Sequence, residues 1–132
     1  MEPKDVPWAL SLAHRRYKAG YDPGGALLAV MNAINSPNAL VLRNDHGFLG
    51  AYVNFPAWRP EQRDCMVVVL FTEEGHHWEA VRMLRYSVVW AREQKCSRWF
   101  LGGDGDKSLA ALARRLGAGT MPVYRIDLVG AI

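Results

Sequence analysis

Residues 64–94 contain the feature that most restricts the fold: an apolar run, a short turn and a long amphipathic segment in direct succession. The run from Cys65 to Phe71 lacks polar alternation, which predicts a strand that is covered on both faces and lies at the centre of a sheet. Beyond the turn, residues 78–94 carry apolar residues at helical spacing, which predicts the longest helix of the chain. These residues form two stripes, so we expect the helix to contact the sheet and either a second helix or a partner chain: Val81, Leu84, Val88 and Ala91; Met83, Tyr86 and Trp90.

The flanking residues predict the remaining elements. Helices are expected over residues 5–19, 25–35 and 106–116, and strands over residues 39–43, 48–55, 98–102 and 120–129. Asp5 suits the N-cap of the first helix, and Gly47 suits a positive φ in the turn between the first two strands. The fold class is therefore α/β (α+β), a mixed and mostly antiparallel sheet with helices on both faces. A chain of 132 residues fits a single domain.

Composition excludes several classes of protein. No apolar run approaches the roughly 18 residues of a membrane span, and no signal-peptide core follows the N-terminus, so we expect a cytoplasmic protein. Cys65 and Cys96 have no metal-ligand spacing, and adjacent His76 and His77 side chains diverge, so two reduced thiols and no metal are expected. The net charge of +3 is dispersed, which makes nucleic-acid binding a minor alternative.

The order of elements resembles the GNAT family of N-acetyltransferases: two helices, three strands, the long helix, then strand, helix and strand. Residues 106–118 (DKSLAALARRLGA) follow the family pattern of Asn, small residue, Leu-Tyr, basic residue and Gly. Asp106 takes the Asn position and Ala113 the Tyr position. A helix ending in LARRLGA is similar to small GNAT-like proteins of tailed bacteriophages, which implies a phage protein of the host cytoplasm or virion.

The resemblance implies acetyl-CoA as cofactor, with its pyrophosphate on a turn between the central strand and the long helix. Family members carry Gln/Arg-x-x-Gly-x-Gly/Ala there, because glycines let phosphates approach backbone N–H groups at a helix N-terminus. Only Ala80 matches this pattern. Gly75 stands where the Gln or Arg is expected, and Trp78 stands where the first Gly is expected. The implied cofactor-binding residues are Leu70, Phe71, Thr72, Gly75, His76, His77, Trp78, Glu79, Ala80 and Asp106.

The acidic turn leaves two interpretations open. In one, an altered turn still binds acetyl-CoA, against repulsion from Glu73, Glu74 and Glu79. In the other, Thr72, Glu73 and Glu74 cap and start the helix and nothing binds there. Trp78 accordingly blocks the phosphates, points away from them, or belongs to the core.

The implied reaction is direct acetyl transfer to an amine. A backbone N–H near residues 70–72 would polarise the thioester carbonyl, and Glu73 or Glu74 would act as general base. Tyr124 could replace the missing tyrosine acid, although an aromatic residue on a strand usually packs in the sheet. The alternative is a GNAT-fold protein that has lost catalysis and binds another protein. A homodimer through the long helix is a further expectation.

Overall fold

The helices and strands follow the predicted order up to the last predicted strand. The computed structural model describes residues 1–17, 23–55, 58–59, 61–102, 107–119 and 126. The predicted strand over residues 120–129 lies outside these residues, apart from Ile126. The elements are a 3-10 turn (Pro3–Asp5), α1 (Val6–Tyr17), α2 (Pro23–Ile34), β1 (Ala39–Arg43), β2 (Gly47–Asn54), β3 (Asp64–Thr72), α3 (His77–Glu93), β4 (Arg98–Leu101) and α4 (Lys107–Arg115).

The described strands form one sheet in the order β1-β2-β3-β4. β1 and β2 form an antiparallel hairpin, β2 and β3 are also antiparallel, and β3 and β4 are parallel. A parallel pair needs a crossover connection, and α3 supplies it. The mixed, mostly antiparallel sheet is therefore confirmed, and β3 has a neighbouring strand on both sides.

Core residues cover both faces of the sheet. Ala9 and Leu12 of α1 pack with Phe48 on one face, where half-buried Val69 and Phe71 also contact them. The opposite face carries the larger cluster, formed by strand residues and α3, and half-buried Leu112 and Leu116 from the region of α4 pack against it. Its buried members are Leu49, Ala51, Cys65, Val67, Met83, Leu84 and Ala91. Helices on both faces are thus confirmed.

A β-bulge interrupts the pairing of β3 with β2. The pairing passes from Gly50 opposite Val69 to Ala51 opposite Val67, so Val68 has no partner on β2. Residues on either side of the bulge consequently change faces: Val67 and Leu70 pack with the α3 cluster, whereas Val69 packs with the α1 cluster. Val68 itself is 62% exposed, so the prediction of complete burial is wrong at this residue.

Two predicted turn details are also wrong. Asp5 does not cap α1. It is the last residue of the 3-10 turn, and its carboxylate accepts the Glu2 backbone N–H at 2.9 Å. Gly47 is not among the described residues with positive φ. Glycine is needed there because a Cβ would lie 2.2 Å from the Phe71 carbonyl oxygen. The β1–β2 turn therefore lies directly against the end of β3.

The long helix is confirmed, one residue earlier at each end than predicted. Val81, Leu84 and Ala91 are buried as expected for the stripe that faces the sheet. The residues of the second stripe differ in burial, because Met83 is buried while Tyr86 is 56% exposed. Most of this helix therefore contacts the core on one side, and its outer apolar residues face solvent within the described structure.

Candidate active site

The candidate site begins where the pairing between β3 and β4 ends. The two strands pair from Asp64 opposite Arg98 to Val67 opposite Leu101, and β3 continues to Thr72. Along a strand, the backbone N–H and C=O groups point alternately to one edge and to the other. After the bulge, every second residue of β3 therefore directs these groups to the edge at which β4 no longer pairs. In the described part of the chain, no strand pairs with this edge, which contains Leu70, Phe71 and Thr72.

A turn joins this open edge to the N-terminus of α3. The His76 N–H donates to the Glu73 carbonyl at 3.2 Å, and Gly75 adopts a φ of +84°. His76 is the N-cap residue and makes no side-chain capping hydrogen bond, so the interpretation that Thr72, Glu73 and Glu74 cap α3 is wrong. A Cβ on Gly75 would meet no atom of the described residues within 4 Å, so these residues leave the space beside the turn open.

The first turn of α3 offers backbone donors. The N–H groups of Glu79 and Ala80 donate to the His76 carbonyl, at 3.1 and 3.4 Å. Those of His77 and Trp78 have no backbone acceptor among the described residues, as is usual at a helix N-terminus. Unpaired N–H groups and the helix dipole together favour an anion at this position.

Trp78 lies on the surface. Its side chain is 60% exposed, and the Arg115 guanidinium lies 4.5 Å from the centre of its ring. The interpretation of Trp78 as a core residue is therefore wrong. Arg115 comes from the last turn of α4, and this cation–π contact brings its positive charge to the first turn of α3.

Glu79 is held by two histidines. Its Oε2 atom lies 2.9 Å from His46 Nδ1 and 3.3 Å from His76 Nδ1, and the two imidazole rings stack with centroids 3.6 Å apart. His46 belongs to the β1–β2 turn, 33 residues before Glu79. Local sequence spacing could not reveal this contact, because only the pairing of β2 with β3 brings the two turns together.

The structure brings most of the predicted site residues to one end of β3, from Leu70 to Ala80. Glu73 directly follows the strand and is half-buried, whereas Glu74 and His77 are exposed. Ala80 is buried at 1% exposure and belongs to the core rather than to the surface of the turn. Asp106 and Tyr124 lie outside the described residues.

The same architecture occurs in solved acetyltransferases. The chain aligns with a protein of Clostridium acetobutylicum described as a predicted acetyltransferase and solved with acetyl-CoA, at 14% identity and a TM-score of 0.76, over 98% of this chain and 94% of that one. Aminoglycoside 6'-N-acetyltransferase of Acinetobacter haemolyticus aligns at 17% identity and a TM-score of 0.73, over 98% and 96%. Ribosomal-protein-alanine N-acetyltransferase of Brucella melitensis aligns at 17% identity and 0.71, over 97% and 96%. The chain has the GNAT fold.

At these identities the likeness concerns the fold alone. No family model matches the sequence, and a search of curated proteins gives no significant match. The GNAT fold accommodates acetyl-CoA in the Clostridium protein. In the described part of this chain, no helix is long and apolar enough to cross a membrane.

Proposed function

We propose that this protein is an N-acetyltransferase that moves the acetyl group of acetyl-CoA to an amine. The proposal rests on one observation: β3 and β4 stop pairing after Val67, and β3 continues towards the N-terminus of α3. This arrangement combines an open row of backbone donors with a helix N-terminus that favours an anion. Acetyl-CoA would supply an activated acetyl thioester and a pyrophosphate for these two features.

The residues of the turn fit a pyrophosphate despite the missing glycines. Within the described structure, the backbone N–H groups of His77 and Trp78 have no backbone acceptor, and no atom would lie within 4 Å of a Cβ on Gly75. Arg115, held over Trp78, adds a positive charge that the sequence pattern did not indicate. The carboxylate of Glu79 is engaged by His46 and His76, at 2.9 and 3.3 Å from their Nδ1 atoms.

The open edge of β3 supports the chemical step. We assign a backbone N–H between Leu70 and Thr72 to the acetyl carbonyl, where charge develops during attack by the amine. Glu73 is our preferred general base over Glu74, because it is half-buried and directly follows the strand. Tyr124 would protonate the leaving thiolate in place of the family's tyrosine, whose position Ala113 occupies, and the family resemblance assigns Asp106 a contact with the cofactor.

The acceptor is proposed only as an amine. The structural neighbours include an enzyme for an aminoglycoside and one for the alanine of a ribosomal protein. We therefore expect activity to be found by presenting both small polyamines and peptide N-termini with acetyl-CoA, and by measuring release of free thiol. Glu73→Gln should lower the rate about 100-fold or more if Glu73 is the base, while leaving acetyl-CoA affinity unchanged.

Calorimetric titration of acetyl-CoA into variants tests the role of Trp78. If the Trp78–Arg115 contact helps to hold the pyrophosphate, Arg115→Gln and Trp78→Gly should each weaken binding several-fold. Arg92→Gln removes the same charge from the last turn of α3 and serves as the control. Tighter binding by Trp78→Gly would mean that the indole obstructs the turn. Equal losses of acetyl-CoA affinity in Arg115→Gln and Arg92→Gln would show that only the net charge of the protein matters.

A second candidate function is protein binding without catalysis. Tyr86 and Val89 on α3 are 56% and 51% exposed, and Ala113 stands at the family's tyrosine position. These exposed side chains could receive a partner or a second copy in a homodimer. The link to phage proteins rests on the sequence of α4 alone. Sedimentation would reveal a dimer through α3 as a wild-type dimer that Tyr86→Ser converts to a monomer. A monomeric wild-type protein that binds acetyl-CoA would contradict this second function.

A further inference from the structure

Three potential metal ligands converge beside the N-terminus of α3. His46, His76 and Glu79 each offer one ligand atom, and these three atoms all lie within 4.8 Å of one another. The two histidines contact Glu79 through their Nδ1 atoms. Both imidazole nitrogens approach the same oxygen, Glu79 Oε2, at 2.9 and 3.3 Å. In a tetrahedral zinc site with bonds of about 2.0–2.1 Å, ligand atoms lie about 3.3 Å apart. The two nitrogen–oxygen distances are therefore close to the edges of such a site, and the stacked imidazole rings, which are 9° from parallel, would have to rotate to point both nitrogens at one ion.

The backbone holds His46 in position before any ligand binds. The His46 N–H donates to Asn44 Oδ1 at 2.8 Å, and the His46 carbonyl accepts the Glu73 N–H at 2.8 Å. Gly47 lets the hairpin turn lie against the end of β3, where a Cβ would collide with the Phe71 carbonyl. His76 and Glu79 are fixed by the first turn of α3. The backbone of all three ligands is thus held in place, so binding an ion requires rotation of side chains and no rearrangement of the chain.

The chemistry of the three donors selects the class of ion. Two imidazoles and one carboxylate suit zinc and other divalent transition metals, whereas magnesium and calcium prefer sites made of oxygen ligands. The three side chains are each 31–35% exposed, so an ion can enter and keep water as its remaining ligand. We propose that His46, His76 and Glu79 bind one divalent transition-metal cation, such as zinc. The site goes beyond the proposed acetyl transfer and does not depend on it.

The alternative is a hydrogen-bonded contact between the two turns without an ion. Two neutral imidazoles can each donate an Nδ1–H to the shared carboxylate oxygen at the observed distances. The two possibilities differ in what zinc does. An ion that binds only the folded protein raises its melting temperature and saturates at one equivalent, whereas a hydrogen-bonded contact gains nothing from zinc.

The experiment is a calorimetric titration of Zn²⁺ into the full chain, after treatment with a chelator and in the absence of acetyl-CoA. We expect one equivalent to bind, and at least tenfold weaker binding by His46→Ala, His76→Ala and Glu79→Gln. His77→Ala is the matched control, because it removes the neighbouring exposed histidine and should leave the affinity unchanged. Titration with Mg²⁺ should give no comparable binding.

Absence of binding at free zinc concentrations up to about 0.1 mM would overturn the proposal. So would a loss of affinity in His77→Ala equal to that in His76→Ala, which would assign the zinc to the exposed histidine pair. If His46→Ala fails to fold, Glu79→Gln decides, since the amide keeps the shape of the side chain. Either negative result leaves the proposed acetyltransferase activity untouched.

Discussion

Replacing Gly47 with alanine should destabilise the protein through a collision of backbones. A Cβ at this residue would lie 2.2 Å from the Phe71 carbonyl oxygen and 2.9 Å from Thr72 Cα. The nearest atom is therefore a backbone oxygen, which cannot move away by rotation of a side chain. The β1–β2 turn would have to shift by about 1 Å relative to the end of β3, as expected for overpacking of a close contact.

The size of the effect follows from two opposing terms. Overpacking costs about 1–3 kcal/mol, and the lower entropy of alanine in the unfolded chain returns about 0.5–1 kcal/mol. We expect a net loss of about 1–2 kcal/mol in the free energy of unfolding. With a urea dependence of about 2 kcal/mol per molar, the midpoint of urea unfolding should fall by about 0.5–1 M.

Gly102→Ala is the matched control. A Cβ there would meet no atom of the described residues within 4 Å, and Gly102 is not among the described residues with positive φ, so the midpoint of this variant should stay close to that of the wild type. Equal midpoints for the two variants would refute the close approach of the hairpin to β3. Because that approach positions His46, the same result would weaken the geometry of the proposed metal site.

Two further predictions concern the core and its rim. Ser87 is fully buried and accepts the Trp99 indole N–H at 2.9 Å, so Ser87→Ala should cost about 1–3 kcal/mol in chemical unfolding, and a cost near zero would contradict the importance of this bond. The Arg98 guanidinium donates two hydrogen bonds to the Asp64 carboxylate and thereby lowers the pKa of Asp64. The pair therefore stabilises the fold fully above the unfolded-state pKa of about 3.9, and this stabilisation is lost as pH falls towards the lower pKa of Asp64 in the folded protein. Asp64→Asn should lose less stability on acidification in that window; an unchanged acid dependence would contradict the assignment.

The local sequence predicted the elements of the fold well because each carries its own pattern. The apolar run of β3, the helical spacing of α3 and the turn residues between β1 and β2 are all short-range signals. The bulge at Val68 could not be predicted, because an uninterrupted apolar run looks the same with and without a change of face. The role of Gly47 was also hidden, since its close neighbour Phe71 is distant in sequence.

The sequence located the turn before α3, but it did not reveal the contacts that surround this turn. The turn from Gly75 to Ala80 was located by the family resemblance, and the start of α3 at His77 followed closely. Contacts made through tertiary structure could not be inferred: His46 reaches Glu79 across 33 residues, and Arg115 reaches Trp78 from a different helix. Arg115 adds a positive charge beside a turn that looked strongly acidic from the sequence, and His46 gives Glu79 a hydrogen-bonding partner.

Binding of acetyl-CoA to the wild-type protein is the most direct measurement of the proposed function. A ligand that binds only the folded state stabilises it by about 2.7 kcal/mol at 100 times its dissociation constant, which a thermal unfolding curve resolves easily. We predict a concentration-dependent rise in melting temperature with acetyl-CoA, and a smaller rise with a CoA analogue that lacks the pyrophosphate. An unchanged melting temperature at millimolar acetyl-CoA, with no heat in calorimetric titration, would contradict the proposal that the open edge of β3 and the turn before α3 form an acetyl-CoA site.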